Sequence, residues 1–443
     1  MKDRIQFYQT KVSEILKKAK QKGATEAEVA LSAGTGISTS VRNQEVETIE
    51  NQNDQGMAIT VYFGKQKGSA DTGDLAEQSL MDTLDAACSI AEFTLADPYA
   101  GLPDIELLAK DRRDLSLDHP YTGDVESAIK LALDCEKIGL DFDKRISNSE
   151  GANFSTYRSL NVYGNSLGFL SDSIATHHSL SLSLIANSDN NGKERDYSFS
   201  NARDFADLWN SESIAQDAAA RVLRRLNPRK IKTQKVPVIF AAHLASGLIR
   251  NYLQAVSGGS LYRKTSFLLN SLDTQVFPKF VSLYEDPFVL KGLGSAPFDG
   301  EGVAIQPKYL VEQGKVSTYL LSTYTARHLG MQTTGHSGGV RNVFVQSDVA
   351  PSFEEMLAEM GTGLLVTELI GQGVNPVTGD YSRGASGLWV ENGKIQFPVS
   401  EITIAGNLKE MFKSITAIAT DTEKRDKIQT GSILINEMMV AGE

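Results

Sequence analysis

Cysteine and histidine are scarce in this chain, which has only two of the first and six of the second in 443 residues. Cys88 and Cys135 form no Cys-x-x-Cys pair, lie far apart in sequence, and sit in apolar, helix-like surroundings, so buried, reduced thiols are expected. The histidines are His119, His177, His178, His243, His328 and His336, and none is followed by glutamate, which removes every His-Glu zinc-protease motif. His177 and His178 are adjacent, so on a strand they point to opposite faces and cannot chelate one metal together. There is no phosphate loop of the Walker type, and no apolar run approaches the ~20 residues that a membrane helix needs. The N-terminus, MKDRIQFYQTKVSEILKKAK, mixes charged with apolar residues where a secretory signal would present a continuous apolar core, and a cytoplasmic location is expected. Positive charge is also in deficit. A formal net charge of -11 argues against a general nucleic-acid binder, because a polyanion would be repelled by most of the surface.

What is present looks globular. Hydrophobic residues make up 41% and charged residues 22%, and at ~150 residues per domain the length suggests two or three domains. Ile5, Tyr8, Val12, Ile15, Leu16 and Ala19 recur at helical spacing up to Gly23. Short strands are expected at Glu28 to Ala33, Ile37 to Arg42, Val46 to Glu50 and Met57 to Phe63, with Gly34, Gly36, Asn53, Gly56 and Gly64 as turn residues. Asp74 with Glu77 has capping-box spacing and opens a helix to about Phe93. After a connector around Pro98, Gly101 and Pro103, a helix through Val125, Ile129, Leu133 and Ile138 leads into strands between Asn153 and Phe199. The tetrapeptide Asp189-Asn190-Asn191-Gly192 supplies a hairpin turn there. A helix from Ile214 to Leu226 precedes Asn227-Pro228. The fold class expected is α+β, with a helix-on-antiparallel-sheet domain over residues 1–228 and a β-rich domain over 229–443. In the second part, Ser352 with Glu355 caps a short helix, and Asn392-Gly393 is the favoured pair for a type I′ hairpin.

The central stretch, Val236 to Lys264, reads as a buried strand, then a helix carrying Leu244, Leu248, Tyr252, Leu253 and Val256, stopped by Gly258 and Gly259. This stretch resembles the TldD/PmbA family of metalloprotease subunits, and its PmbA (TldE) branch in particular. So do Gly56 to Tyr62, Ala296 to Val303, Met360 to Leu369, Gly379 to Ala385, Val390 to Gly393 and Pro398 to Leu408, so that the resemblance covers nearly the whole chain. In TldD-type relatives the central helix carries a His-Glu-x-x-x-His motif, two imidazoles to hold a metal and a carboxylate to activate its water. Matching the glycine turn and Tyr262-Arg263-Lys264 places Arg250, Asn251 and Ala255 at those three positions. Arginine has no lone pair to give a metal, alanine has no donor atom, and asparagine is a poor general base. The cysteine ligand that TldD-type chains carry near their C-terminus is also missing from Asp421 to Glu443.

The resemblance implies a cytoplasmic bacterial protein acting with a TldD-type subunit as a metalloprotease on unfolded peptides, in leader-peptide removal and antitoxin degradation, with a historical link to modulation of DNA gyrase. It implies zinc in the partner and no cofactor bound by this chain. An unfolded peptide would pair its backbone with a sheet edge, and Gly258, Gly259, His336, Gly338 and Gly339 are candidates for peptide or partner contact. A two-fold homodimer is the default for the isolated chain.

Two other readings stay open. Gly335-His336-Ser337-Gly338-Gly339 fits the Gly-x-Ser-x-Gly pattern of hydrolase nucleophiles, which would make Ser337 the nucleophile of an autonomous hydrolase, although the flanking residues do not read as strand then helix. A regulatory protein binding gyrase without proteolysis is the other. Glu368 and Glu401 are carboxylates in apolar runs, with Arg383 a partner for Glu368. The basic run Arg221, Arg224, Arg225, Arg229, Lys230, Lys232 and Lys235 reads as cations at a helix C-terminus and a solvated link, since no aromatic residues interleave it.

Overall fold

The computed structural model describes residues 2–111, 113–189 and 192–442. Its first half runs α1 (Lys2–Gln21), β1 (Glu26–Arg42), β2 (Glu45–Phe63), β3 (Gln66–Thr72), α2 (Glu77–Phe93), α3 (Val125–Asp141), β4 (Ile146–Asn165), β5 (Leu170–Asn187), β6 (Lys193–Ala202) and α4 (Ser211–Arg224). The strands make one antiparallel sheet in the order β3-β2-β1-β4-β5-β6. Tyr8, Val12 and Ile15 of α1 and Leu80 and Leu84 of α2 are buried with Leu31, Ile59 and Val162, while Ala132 and Cys135 of α3 and Ala218 and Val222 of α4 are buried with Phe154, Leu182 and Leu184. Phe154 and Val162 share a parity along β4, so both clusters lie on one face of the sheet. Each large side chain buried in this way contributes about 1.5–3 kcal/mol, and it is this packing, more than propensity, that holds the helices.

The four short strands expected at the N-terminus are two long ones. β1 runs straight through Gly34 and Gly36, and β2 through Asn53 and Gly56. Gly34 and Gly36 are not turn residues: a Cβ on Gly34 would lie 1.9 Å from the Tyr157 hydroxyl, and one on Gly36 would lie 2.5 Å from the Thr156 carbonyl. Glycine there lets the Tyr157 ring from β4 lie flat across the neighbouring strand. The turn joining β1 to β2 is Asn43-Gln44, both with positive φ. Asp74 does not form a capping box with Glu77. Its carboxylate accepts from the Ala76 N–H and the Ser79 hydroxyl, and α2 begins at Glu77 without a side-chain cap. The hairpin turn expected between β5 and β6 falls on Asn190 and Asn191, outside the described residues.

The second half runs β7 (Gln234–Phe240), α5 (Ala242–Ala255), α6 (Gly258–Tyr262), β8 (Val281–Asp286), β9 (Lys308–Glu312), β10 (Lys315–Val316), α7 (Thr323–His328), β11 (Asn342–Ser347), α8 (Phe353–Met360), β12 (Gly363–Ile370), β13 (Asp380–Glu391), β14 (Lys394–Asn407), α9 (Leu408–Lys413), β15 (Ile415–Ile418), β16 (Ile428–Gln429) and β17 (Ile433–Ala441). Two mixed sheets form, β14-β13-β12-β7-β17-β15 and β10-β9-β8-β11-β16. β7 lies inside the first, parallel to β12 and antiparallel to β17. Its alternate residues serve two cores: Val238 and Phe240 face α5 and the second sheet, and Ile239 faces α8. A strand buried on both faces must be continuously apolar, which is why Val236 to Phe240 reads as it does. Ser352 and Glu355 form the capping box of α8, and Asn392-Gly393 makes the hairpin with φ of 52° and 71°.

Ion pairs tie the halves together. Arg225, just past α4, reaches Glu194 and Asp196 of β6 and also Glu368 of β12, so Glu368 is partnered by Arg225 instead of Arg383. The basic run is therefore only partly a solvated link, because the fold brings three carboxylates from two strands, β6 and β12, around the Arg225 guanidinium. Glu401 is exposed and faces Lys230 at 3.4 Å. Both cysteines are free and buried, and burial pushes the Cys135 thiol up to about 12. Among the described residues no helix is long and apolar enough to cross a membrane.

Candidate functional site

α5 buries Leu248, Ile249, Tyr252 and Leu253 along one stripe, and its C-terminal turn delivers Arg250 and Gln254 to the wall of a cleft of about 570 Å³. The helix stops at Ala255 because Val256 leaves helical geometry. Gly258 and Gly259 then open a new short helix, α6, capped by the Ser257 side chain, instead of terminating the first. Gly258 is required by a close approach: a Cβ would lie 2.2 Å from Thr325 Oγ1 on α7. α7 is in turn anchored from outside, since the Arg327 guanidinium donates to the carbonyls of Gly101 and Leu102 in the connector of the first half, at 3.1 and 2.6 Å.

The opposite wall is the loop from Gly335 to Val340. Gly338 and Gly339 are exposed with φ of 85° and 88°, a conformation that side-chain-bearing residues rarely adopt. His336 is buried and both its ring nitrogens are engaged. Nε2 lies 2.8 Å from Glu285 Oε2, and Nδ1 lies 2.8 Å from Thr334 Oγ1. Glu285 also accepts from the Arg341 N–H at 2.6 Å. Burial pushes the Glu285 carboxyl up, but the His336 bond and charge together with the Arg341 N–H outweigh it and leave the group below its usual range. Asp299 holds the same loop by accepting from the Ser337 N–H at 3.1 Å and from the N–H groups of Glu301 and Val303. Its burial outweighs those bonds and raises its pKa. Lys427, at the base of the cleft, donates to the Val340 carbonyl, and burial lowers its pKa.

The sequence-derived candidates thus separate. Gly258, Gly259, His336, Gly338, Gly339 and Arg250 all line this one cleft although they lie up to 89 positions apart. Ala255 faces the hydrophobic core at 2% exposure, Asn251 is half-buried, and neither lines the cleft. Ser337 also lines it, but the loop carrying it is followed by strand β11, and His336 has no ring nitrogen to spare for its hydroxyl. That arrangement lacks the strand-turn-helix support and the base of a nucleophile elbow. Glu285, Asp299 and Lys427 were not singled out from the sequence. For Glu285 a signal existed: Val281, Leu283 and Glu285 alternate, so the carboxylate shares the buried face of β8.

The layered α+β fold, with this cleft between a central helix and a glycine loop, is shared with a known family of peptidases. Models described as PmbA/TldA metallopeptidase domain 1, central domain and C-terminal domain match residues 27–91, 118–226 and 233–442. The chain belongs to the PmbA/TldA metallopeptidase family. It is 49% identical to the metalloprotease PmbA of Escherichia coli O157:H7, over 94% of this chain and 92% of that one, and 47% identical to a metalloprotease PmbA homolog of Haemophilus influenzae, over 95% and 93%. Among solved structures, a putative modulator of DNA gyrase from Bacteroides thetaiotaomicron shares the fold with a TM-score of 0.92 at 24% identity, covering 98% of each chain. TldE from Thermococcus kodakarensis does so at 0.84 and 21%, covering 98% of this chain and 100% of that one.

The family name implies a metal, and the three side chains expected at metal-motif positions do not suit one. Arg250 is ion-paired with Asp426, Asn251 offers only an amide, and Ala255 is core. Among the described residues no group of three or more His, Cys, Asp or Glu side chains is arranged to hold a metal ion.

Proposed function

We propose that this chain is the subunit of a TldD-type metalloprotease complex that does not itself hold the metal, with zinc and the catalytic water in a TldD-type partner and unfolded peptides as substrates, in leader-peptide removal or antitoxin degradation. The observation that carries this reading is the fate of the central helix. At the three positions expected to match the family's metal motif it presents a paired guanidinium, an amide and a methyl group, where two imidazoles and a carboxylate would be needed. The cleft beside it, walled by Gly258, Gly259, Gly338 and Gly339, forms part of the enclosure for an extended peptide, whose backbone can approach closely where side chains are absent. His336 acts there as a positioning residue that fixes the loop through Glu285.

The test is cleavage of an unstructured peptide by the purified chain with zinc supplied, then with a TldD-type subunit added. No turnover alone and turnover with the partner are expected. Turnover by the chain alone, abolished by Ser337→Ala, would replace this reading with the autonomous hydrolase.

A further inference from the structure

A second cleft, of about 390 Å³, lies where α4 of the first half meets the start of α5 and the segment from Asp421 to Arg425. Cationic side chains dominate its wall, namely Arg221, Arg224, Lys424 and Arg425. The carboxylates on and just behind this wall each have a partner. Glu423 holds Arg425 through two bonds, Asp217 takes Arg221 at 2.9 Å, and Asp421 accepts from the N–H and hydroxyl of Ser432 at 2.8 and 2.6 Å. Arg224 and Lys424 are left over: both are exposed, and neither has an ion pair or hydrogen bond among the described residues. Around Arg224 the protein is crowded enough for burial to lower its pKa, with the Arg221 charge adding to the effect, so its guanidinium stands in a concavity and not on an open surface.

Two further features point the same way. The first residues of α5, Ala242 and His243, line this cleft, and although the Ala242 N–H already donates to Ser432 Oγ, the positive end of a 14-residue helix adds to the side-chain charge. Trp209 forms part of the wall at 42% exposure, with Arg425 stacked 4.5 Å from the ring centroid, leaving indole surface for a bound organic group. Four cations thus face the carboxylates of Asp421 and Glu423, with Asp217 behind Arg221, and Arg224 and Lys424 keep no direct partner, so the partly enclosed wall retains an excess of positive charge that an external anion can answer.

We propose that this cleft binds a phosphorylated small molecule, the phosphate held between Arg224, Lys424 and the start of α5, and an organic substituent lying against Trp209. Phosphate suits the site better than carboxylate because its third oxygen lets it meet two cations without direct partners and a helix terminus together. The volume exceeds that of bare phosphate and is in the range of ligand pockets. This site is separate from the peptide cleft and does not depend on the reading given for it.

Titration calorimetry of the full chain with inorganic phosphate, AMP and acetate tests the proposal, with Trp209 fluorescence as a second readout because the other tryptophan, Trp389, is 6% exposed. Saturable phosphate or AMP binding, weakened roughly tenfold or more in Arg224→Gln and in Lys424→Gln, is expected. Both positions are exposed, so folding of the variants, checked by melting, is expected to be unchanged. AMP binding tighter than phosphate assigns an organic phosphate, and equal affinities assign the free ion. The proposal is overturned if neither binds up to ~10 mM at low salt, if acetate binds equally well, or if both variants bind as the wild type does.

Discussion

Removing the His336 imidazole is the sharpest test of the cleft's construction. His336 and Glu285 side chains are 1% and 3% exposed, with 2.8 Å between Nε2 and Oε2. His336→Leu leaves a buried carboxylate whose one remaining donor is the Arg341 N–H. Taking a hydrogen-bond donor from a buried carboxylate costs about 1–3 kcal/mol or more. Glu285→Leu removes the charge itself and leaves the Arg341 N–H and the imidazole without an acceptor, at about 1–3 kcal/mol. The double variant has no stranded charge, so it is expected to be more stable than the sum of the single losses by about 1–3 kcal/mol. Urea unfolding of all four proteins, followed by circular dichroism, measures this directly. The pH dependence is part of the same prediction. Because the folded Glu285 pKa lies below the unfolded value of about 4.3, its stabilisation is present above that pH and is lost as pH falls through the folded pKa. The wild type should therefore lose its advantage over Glu285→Leu in acid. Additive single losses, or a His336→Leu cost under about 1 kcal/mol, would refute the buried-hydrogen-bond argument.

Gly258→Ala forces a Cβ to within 2.2 Å of Thr325 Oγ1 and should destabilise the chain by about 1–3 kcal/mol in urea unfolding, whereas an unchanged midpoint would mean that α6 and α7 separate freely. Glu301 has its pKa raised by burial, with the charges of Asp299 and Glu28 adding and the Thr323 N–H opposing. A raised folded pKa gives stability at low pH that is lost as pH rises through it, so the melting temperature of Glu301→Gln should gain on that of the wild type from about pH 4.3 upward. A constant difference between the two profiles would count against this. Cys135, buried with its thiol pushed up to about 12, should resist a neutral thiol reagent in the folded chain and react once urea unfolds it, which a timed labelling assay reads out. Arg225→Met strands Glu194, Asp196 and Glu368 together and should cost about 3–5 kcal/mol, while Arg221→Met, whose partner Asp217 keeps the Ser198 hydroxyl, should cost less.

Local patterns succeeded where one element buries one stripe. The periodicities of α1, α4 and α5 are set by residues such as Val12, Val222 and Leu248 that have only one way to leave water, and the capping box of α8 and the Asn392-Gly393 turn are chemical necessities of four-residue segments. They failed where a residue answers to something distant. Gly34 and Gly36 look like turn signals, but their lack of a side chain serves the Tyr157 ring more than a hundred positions away. β3 has no apolar alternation, and only its pairing with β2 makes it a strand.

The sequence alone determined which chemistry each position can offer: scarce cysteine and histidine, the absence of a His-Glu motif, a negative balance, and Arg250, Asn251 and Ala255 on the central helix are statements about side chains that no packing can reverse. The tertiary structure alone decided which charges meet. Glu368 takes Arg225 and not Arg383, His336 bonds to Glu285, and Arg224 is left without a direct ion pair among the described residues, because each outcome depends on strands and helices brought together from far along the chain. Electrostatic partnership is a property of distance in space, and spacing along the chain carries it only within a turn or two of the same element.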